Sequence, residues 1–251
     1  MPSGPPIRPA VSLGRSARFK RLEDSENMQA LEMEEAVTRL LAALKGTSPR
    51  SLIALAGQPG SGKSTAAARL AAQVNAAAGP EAMVALGMDG FHLPKAHLRS
   101  LPDPEAAFQR RGAPWTFDPA ALAARLHAVR ESAGQRDVPW PEFEHGVGDP
   151  IEDACVVKAR TRLVLVEGLY LLHPADGWAE VRRCFDEHWY LDTPIETARE
   201  RLARRHMSAW GLTRPEADAR IALNDGLNAE IVARSREFTD FLLFTDLPPG
   251  E

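Results

Sequence analysis

Eight consecutive residues constrain this chain more than any others. Gly57-Gln58-Pro59-Gly60-Ser61-Gly62-Lys63-Ser64, followed by Thr65, fits the spacing G-x-x-x-x-G-K-[ST]. The fixed positions would coincide by accident in about one chain of this length in a hundred. Their surroundings are the ones the motif needs. Ser51 to Ala56 is a continuous apolar run suited to a strand buried on both faces of a parallel sheet, and Ser64 to Ala78 is alanine-rich and helical. Between a strand and a helix, such glycines let the backbone curl so that N–H groups point inward at a β-phosphate, while the helix adds its positive N-terminal end. The expected nucleotide contacts are Gly57, Gln58, Pro59, Gly60, Ser61, Gly62, Lys63, Ser64 and Thr65. Lys63, expected to be solvated without ligand, serves the β/γ oxygens, and the Ser64 hydroxyl serves Mg²⁺.

Other apolar runs repeat the pattern. Met83 to Met88, Arg162 to Val166, His188 to Leu191 and Phe241 to Phe244 predict further strands. Helical segments fall at Met28 to Leu44, Pro119 to Ser132, Pro194 to Ala209, Arg214 to Ile221 and Asn228 to Phe238. Strands alternating with helices predict an α/β chain of the P-loop NTPase fold, with a mainly parallel sheet of about five strands and helices on both faces. The ligand then lies at the carboxyl ends of the strands, under an arginine-bearing lid helix. Residues 29–251 are expected to form one domain, with an acceptor-binding insertion around 90–150. Residues 1–28, rich in Pro, Ser, Gly and basic side chains without an apolar period, read as a flexible tail. A start of translation at Met28 or Met33 would leave the expected core complete.

The formal charge of −4 gives no general attraction to nucleic acid, so an anion must be held by a local positive cluster. Cys155 and Cys184 are too few for a disulfide framework and have no zinc spacing, which suits a reducing, cytoplasmic compartment. No apolar run approaches the ~18 residues of a membrane span. The expected partner is a small molecule, with neither nucleic acid nor membrane.

Which chemistry accompanies the phosphate loop is decided at the other strand ends. Asp89 follows Met83-Val-Ala-Leu-Gly-Met, where a carboxylate can accept a hydroxyl's proton and orient it for in-line attack. Taken alone, an Asp-Gly after a strand is more often a turn. Glu167 follows Leu163-Val-Leu-Val; an ionised carboxylate there needs a partner, and a metal ion beside Ser64 supplies one. Arg201, Arg204 and Arg205 lie on the helix after Asp192-Thr-Pro. A solvated basic face is the plainer explanation of such a cluster, but arginines on a mobile segment also serve phosphoryl transfer by closing over the nucleotide. Asp89, Lys63, Arg201 and Arg205 are the catalytic candidates, Arg204 a nucleotide contact, and Ser64 and Glu167 the metal ligands. No N-K-x-D or T-K-x-D stretch is present to read guanine, which argues against a GTP-driven switch.

These pieces resemble the phosphoribulokinase, uridine kinase and bacterial pantothenate kinase family of P-loop small-molecule kinases, over roughly Ser51 to Phe244. Asp89-Gly-Phe-His-Leu-Pro94 is similar to the pantothenate kinase stretch D-G-F-L-Y-P, and Arg110-Arg-Gly-Ala-Pro-Trp-Thr-Phe-Asp118 to R-K-G-F-P-E-S-Y-D. Pro141-Glu-Phe-Glu-His145 is similar to P-V-Y-S-H, and Val166-Glu-Gly-Leu169 to L-E-G-L or F-E-G-I. Arg201-Leu-Ala-Arg-Arg-His206 and Asn224-Asp-Gly-Leu-Asn-Ala229 resemble a branch labelled nucleoside kinase-like or fructose-transport-system kinase-like.

The resemblance implies ATP and Mg²⁺ as cofactors and Asp89 as catalytic base. It implies an acceptor site drawing on Asp89, Phe91, His92, Arg111, Phe143, His145 and Asn228, with Arg236 beside them. Phe143 stands where relatives carry a tyrosine, and the stretch from Asp149 to Arg162 is shorter than in pantothenate kinases, so the acceptor does not follow. The expected activity is transfer of the γ-phosphoryl group of ATP to a hydroxyl of a nucleoside, a pantothenate-like compound or a sugar. A catalytically weak nucleotide-binding regulator is the alternative. The oligomeric state is left open, a homodimer included.

Overall fold

The computed structural model describes residues 28–144 and 146–245. Strand β1 (Gln29–Glu32) leads into helix α1 (Met33–Leu44), and β2 (Ser51–Ala56) leads through the glycine loop into α2 (Lys63–Ala78). After β3 (Met83–Gly87) come the short helices α3 (Lys95–Ser100) and α4 (Pro104–Gln109), then α5 (Pro119–Glu131) and a hairpin of β4 (Val138–Glu144) and β5 (Asp149–Val157). The chain returns through β6 (Leu163–Gly168), α6 (Trp178–Arg183), β7 (Glu187–Leu191) and α7 (Ile195–Trp210). Helix α8 (Arg214–Arg220), a π-helical stretch (Ile221–Asp225), α9 (Gly226–Arg234) and β8 (Phe241–Phe244) complete it.

Six strands form one sheet in the order β1-β8-β7-β2-β6-β3, and every neighbouring pair runs parallel. The phosphate-loop strand β2 sits inside this sheet, between β7 and β6. The sixth strand corrects the expectation of a helix from Met28. Gln29–Glu32 pairs with Phe241–Phe244, and the helix begins only at Met33, where the Glu32 N–H donates to the Glu35 carboxylate at 2.9 Å. Over so few residues, Leu31 satisfies a period of 2.0 as readily as one of 3.6. A chain beginning at Met33 would therefore lack an edge strand. The tail expected at residues 1–28 lies, but for Met28, outside the described residues.

Strand alternation divides the core into two layers. Leu52, Ala54, Ala56, Val164, Val166 and Leu242 face one side, where Phe117, Trp140, Tyr170 and Trp178 pack with α5. Ile53, Leu55, Leu163, Leu165, Trp189 and Leu243 face the other, against α1 and α2. Large aromatic residues fill the first side, and small alanines of α2 pack on the second. Among the described residues no helix is long and apolar enough to cross a membrane.

Arg50, 1% exposed, closes the edge opposite the glycine loop. Its five N–H groups meet five acceptors. Nε donates to Thr161 O at 2.7 Å, and Nη2 to Lys158 O and Ala159 O at 2.7 and 2.9 Å. Nη1 donates to Ser132 Oγ at 3.0 Å and to Val129 O, one of the last carbonyls of α5. Burial lowers the Arg50 pKa and Asp137 opposes the shift, yet a guanidinium stays charged. Replacing it with methionine takes a donor from four carbonyls and leaves Thr161 O with none among the described residues, since Lys158 O, Ala159 O and Val129 O keep Thr161 N, Gly134 N and Ser132 Oγ. Arg50→Met should therefore lose about 3–5 kcal/mol in urea denaturation. Arg50→Lys should recover little, since three N–H groups on a flexible stem cannot replace a planar fork. A loss below ~1 kcal/mol would show that the clamp is not needed.

Candidate active site

The glycine loop is built as the motif requires, and it is braced from outside. Gly60 has φ +75°, and a Cβ there would lie 2.2 Å from the Ala198 carbonyl oxygen on α7, so only glycine fits. Ser61 O accepts from Thr193 Oγ1 and from Arg201 Nη1, both at 3.0 Å, while Gln58 Nε2 donates to Thr193 O at 2.8 Å. The turn that opens α7 is thus tied to the loop. Between them lies a cleft of about 480 Å³ lined by Lys63, Ser64, Thr65, Arg201, Arg204 and Arg205. The lid arginines expected from the sequence therefore face the phosphate loop. Arg204 also pairs with Glu200 at 2.9 Å.

Lys63 corrects one expectation: it is buried, 9% exposed, rather than solvated. Nζ donates to Gln58 O at 3.1 Å. Burial lowers its pKa, against the pull of Glu167 and Asp89 and with the push of Arg205. Ser64 Oγ donates to Glu167 Oε1 at 2.7 Å. Burial raises the Glu167 pKa; Lys63 opposes that shift and Asp89 adds to it. Four charges from three strand ends and the lid thus act on one point. The Ser64–Glu167 pair is a hard oxygen donor set whose carboxylate lacks full compensation, which suits a small dication. Among the described residues no group of three or more His, Cys, Asp or Glu could hold a metal. A cation here would draw its other ligands from water and phosphate, as Mg²⁺ does.

Asp89 opens a 3₁₀ turn, Asp89–Phe91, beyond β3. Its carboxylate is exposed, and among the described residues no hydrogen bond or ion pair engages it. The turn is fixed by Gly90, where a Cβ would lie 2.1 Å from the Pro141 carbonyl oxygen of β4. The Asp89 backbone carbonyl accepts from His92 N at 3.1 Å and faces His92 Nδ1 at 2.8 Å.

The remaining acceptor candidates divide. His92 packs with tilted rings against Phe117 at 3.9 Å and Phe143 at 4.6 Å, which makes a ring cluster beside Asp89. Phe91 is buried edge-on against Trp140, 5.1 Å away, and serves the core. Arg111 is committed to the fold: it donates to Gly148 O at 2.6 Å, to Leu93 O at 3.1 Å and to Asp149 at 3.1 Å. Asn228 is buried and accepts from Arg110 Nη2 at 3.2 Å, while Arg236 pairs with Asp192 at 3.2 Å. His145 lies outside the described residues. Sequence reasoning missed Thr193, whose position in Asp192-Thr-Pro signals only a helix start. It also missed Tyr170, whose hydroxyl donates to Gly112 O at 2.6 Å from within the core.

No family model matches the chain. Individual proteins do. The Schizosaccharomyces pombe protein C227.14, provisionally named a uridine kinase, is 37% identical over 211 residues, spanning 84% of this chain and 89% of its own. The uncharacterized protein YggC of Escherichia coli is 36% identical over 217 residues, 84% of this chain and 86% of its own. The crystal structure of a provisionally assigned fructose transport system kinase from Silicibacter sp. TM1040 superposes with a TM-score of 0.75 at 33% identity, covering 84% of this chain and 98% of that one. YFH7 from Saccharomyces cerevisiae, provisionally described as a P-loop kinase with a circular permutation, superposes with a TM-score of 0.77 at 20% identity, over 87% of this chain and all of that one, and shows the fold. Relatives this similar, matched over 84% of the length, place the chain by descent as well as by shape: it belongs to the uridine kinase-like family of P-loop kinases.

Proposed function

We propose that the protein transfers the γ-phosphoryl group of ATP, bound with Mg²⁺, to a hydroxyl group of a small molecule. The observation that carries this reading is the convergence of Lys63, the Ser64–Glu167 pair and the unengaged Asp89 carboxylate at the ends of three adjacent strands. The phosphate loop and Lys63 hold the β- and γ-phosphates. Mg²⁺, held by the Ser64 hydroxyl and the Glu167 carboxylate, supplies neutralisation of the phosphate charge. The acceptor oxygen attacks the γ-phosphorus as the bond to the β-bridging oxygen breaks, ADP leaves, and the hydroxyl proton passes to Asp89. Arg201 and Arg205 stabilise the transferring charge from α7. The kinase names of the relatives support a phosphotransferase. The two free cysteines suit a reducing compartment such as the cytoplasm.

A nucleotide-binding regulator without chemistry is the competing reading, and the exposed, unengaged Asp89 argues against it. Asp89→Asn keeps the size of the side chain but cannot accept a proton. Turnover should fall by about 10² to 10⁴ while affinity for ATP·Mg²⁺ in isothermal titration changes little. Near-normal turnover, or loss of nucleotide binding instead, returns Asp89 to a turn residue. Lys63→Ala should cost the transfer rate severely and leave the melting temperature no lower, because the buried ammonium is itself desolvated. Unchanged turnover at saturating ATP would remove the central claim.

Glu167 yields a prediction in the absence of nucleotide. Its folded pKa is raised, so between the unfolded and folded values the native state binds more protons and stability falls as pH rises. Glu167→Gln removes that cost. The variant should melt higher than wild type at pH 7, with the gap closing as pH falls to the ordinary glutamate range. Added ATP·Mg²⁺ should reverse the order. A variant that melts lower at pH 7 without ligand would contradict the assigned direction.

A further inference from the structure

Ser61 stands between Gly60, φ +75°, and Gly62, φ +91°. The peptide that joins Ser61 to Gly62 is planar and trans, so its C=O and N–H point in opposite directions, and turning it over changes ψ of Ser61 and φ of Gly62. Glycine accepts either sign of φ, so the loop's own backbone does not decide which way this unit faces. The decision matters. Among the described residues the N–H groups of Gly62, Lys63 and Ser64 have no acceptor within the protein, and they open α2, where such groups hold an anion. A flipped unit would withdraw one donor from that set and put a carbonyl oxygen in its place.

Two side chains hold the Ser61 carbonyl, and water cannot stand in for them, since Ser61 is fully buried. Thr193 Oγ1 and Arg201 Nη1 each donate to Ser61 O at 3.0 Å. They are not equivalent. Arg201 lines the cleft beside the glycine loop, where its charge also faces a ligand's phosphates, whereas Thr193 is not among the residues that line it and its hydroxyl is neutral. Thr193 is fixed from its other side as well: its carbonyl accepts from Gln58 Nε2 at 2.8 Å, and Gln58 O accepts from Ser61 N at 3.1 Å. The bonds from Thr193 to Ser61, from Ser61 to Gln58 and from Gln58 back to Thr193 close a ring. Gln58 O in that ring also accepts from Lys63 Nζ at 3.1 Å.

We propose that Thr193 is a positioning residue for nucleotide binding: its hydroxyl keeps the Ser61 carbonyl turned toward α7 and thereby keeps the Gly62 N–H in the anion-binding set of the glycine loop. Thr193 itself touches no nucleotide. The inference rests on the nucleotide-binding part of the kinase reading above and adds to it a residue outside the loop, more than a hundred positions away in the chain.

Thr193→Val keeps the branched shape and removes the donor. ADP·Mg²⁺ and magnesium tripolyphosphate, which has neither base nor ribose, are titrated calorimetrically into wild type and variant, and melting is followed without ligand. Both probes should bind the variant about tenfold more weakly and by the same factor, because the misplaced donor acts on phosphate. The unliganded melting temperature should stay close to that of wild type, since Arg201 still holds Ser61 O, and Thr193→Ser, which regains the hydroxyl, should restore both affinities. If the valine does not pack, Thr193→Ala set against Thr193→Ser makes the same comparison between side chains that differ by the hydroxyl. Unchanged affinity for tripolyphosphate in the variant without a hydroxyl overturns the proposal, and so does a loss that Thr193→Ser fails to recover. Wild type that binds neither probe would remove the nucleotide reading itself, whereas wild type that binds both while the variant is unaffected removes only the role of Thr193.

Discussion

An ammonium and a carboxylate withdrawn from water at the ends of two neighbouring strands set the terms for the rest of the site. Parallel pairing of β2 with β6 places Leu55 opposite Glu167 and Ala56 opposite Gly168, which brings Glu167 level with the start of the glycine loop. Glu167 shares its sheet face with Leu163 and Leu165, the face covered by α2, and Ser64 on the first turn of α2 reaches it. A slip of one residue would turn Glu167 to the aromatic side of the sheet and destroy the arrangement. The apolar residues that fix the register therefore position the charge. The desolvation of Lys63 and Glu167 is a standing cost in the unliganded protein, of the kind that marks groups kept for a ligand rather than for stability.

The loop and α7 are one mechanical unit. Ala198 presses its carbonyl onto Gly60, Thr193 exchanges hydrogen bonds with Gln58 and Ser61, and Arg201 reaches Ser61. The helix that carries the arginines into the cleft thus also braces the backbone of the glycine loop. Movement of α7 changes both at once, since neither set of contacts can break while the other stays in register. Arg205 contributes charge without a structural bond of that kind, acting on Lys63 and Glu167 from the far wall of the cleft.

The nucleotide half of this protein was legible in the sequence because it is local. A strand, a glycine turn and a helix are contiguous, and their residue spacing carries the geometry. The strand ends bearing Asp89 and Glu167 were legible for the same reason. The residues expected at an acceptor site come from segments far apart in the chain, and local patterns do not report the contacts between such segments. Nothing in Arg110-Arg111-Gly112 says which arginine will find Asp149 across 38 residues and which will face Asn228 across 118. The hairpin of β4 and β5 was missed because its outer face is polar and Pro139, Pro141 and Pro150 break any alternating period. β1 was taken for helix because four residues are too few to distinguish the periods. Phe91 was expected at the acceptor site and packs in the core, since aromatic type alone does not say which side of a turn it occupies.

Buried cations in this structure separate by a simple criterion. Arg50 matches five N–H groups to five acceptors and is finished as a structural element. Arg111 is nearly so. Lys63 has three N–H groups and one protein acceptor, Gln58 O. Burial acts against the charge of both Arg50 and Lys63, but only Arg50 is matched donor for acceptor within the protein. The cost at Lys63 is left standing in the unliganded protein, and an anion seated in the glycine loop is what would offset it.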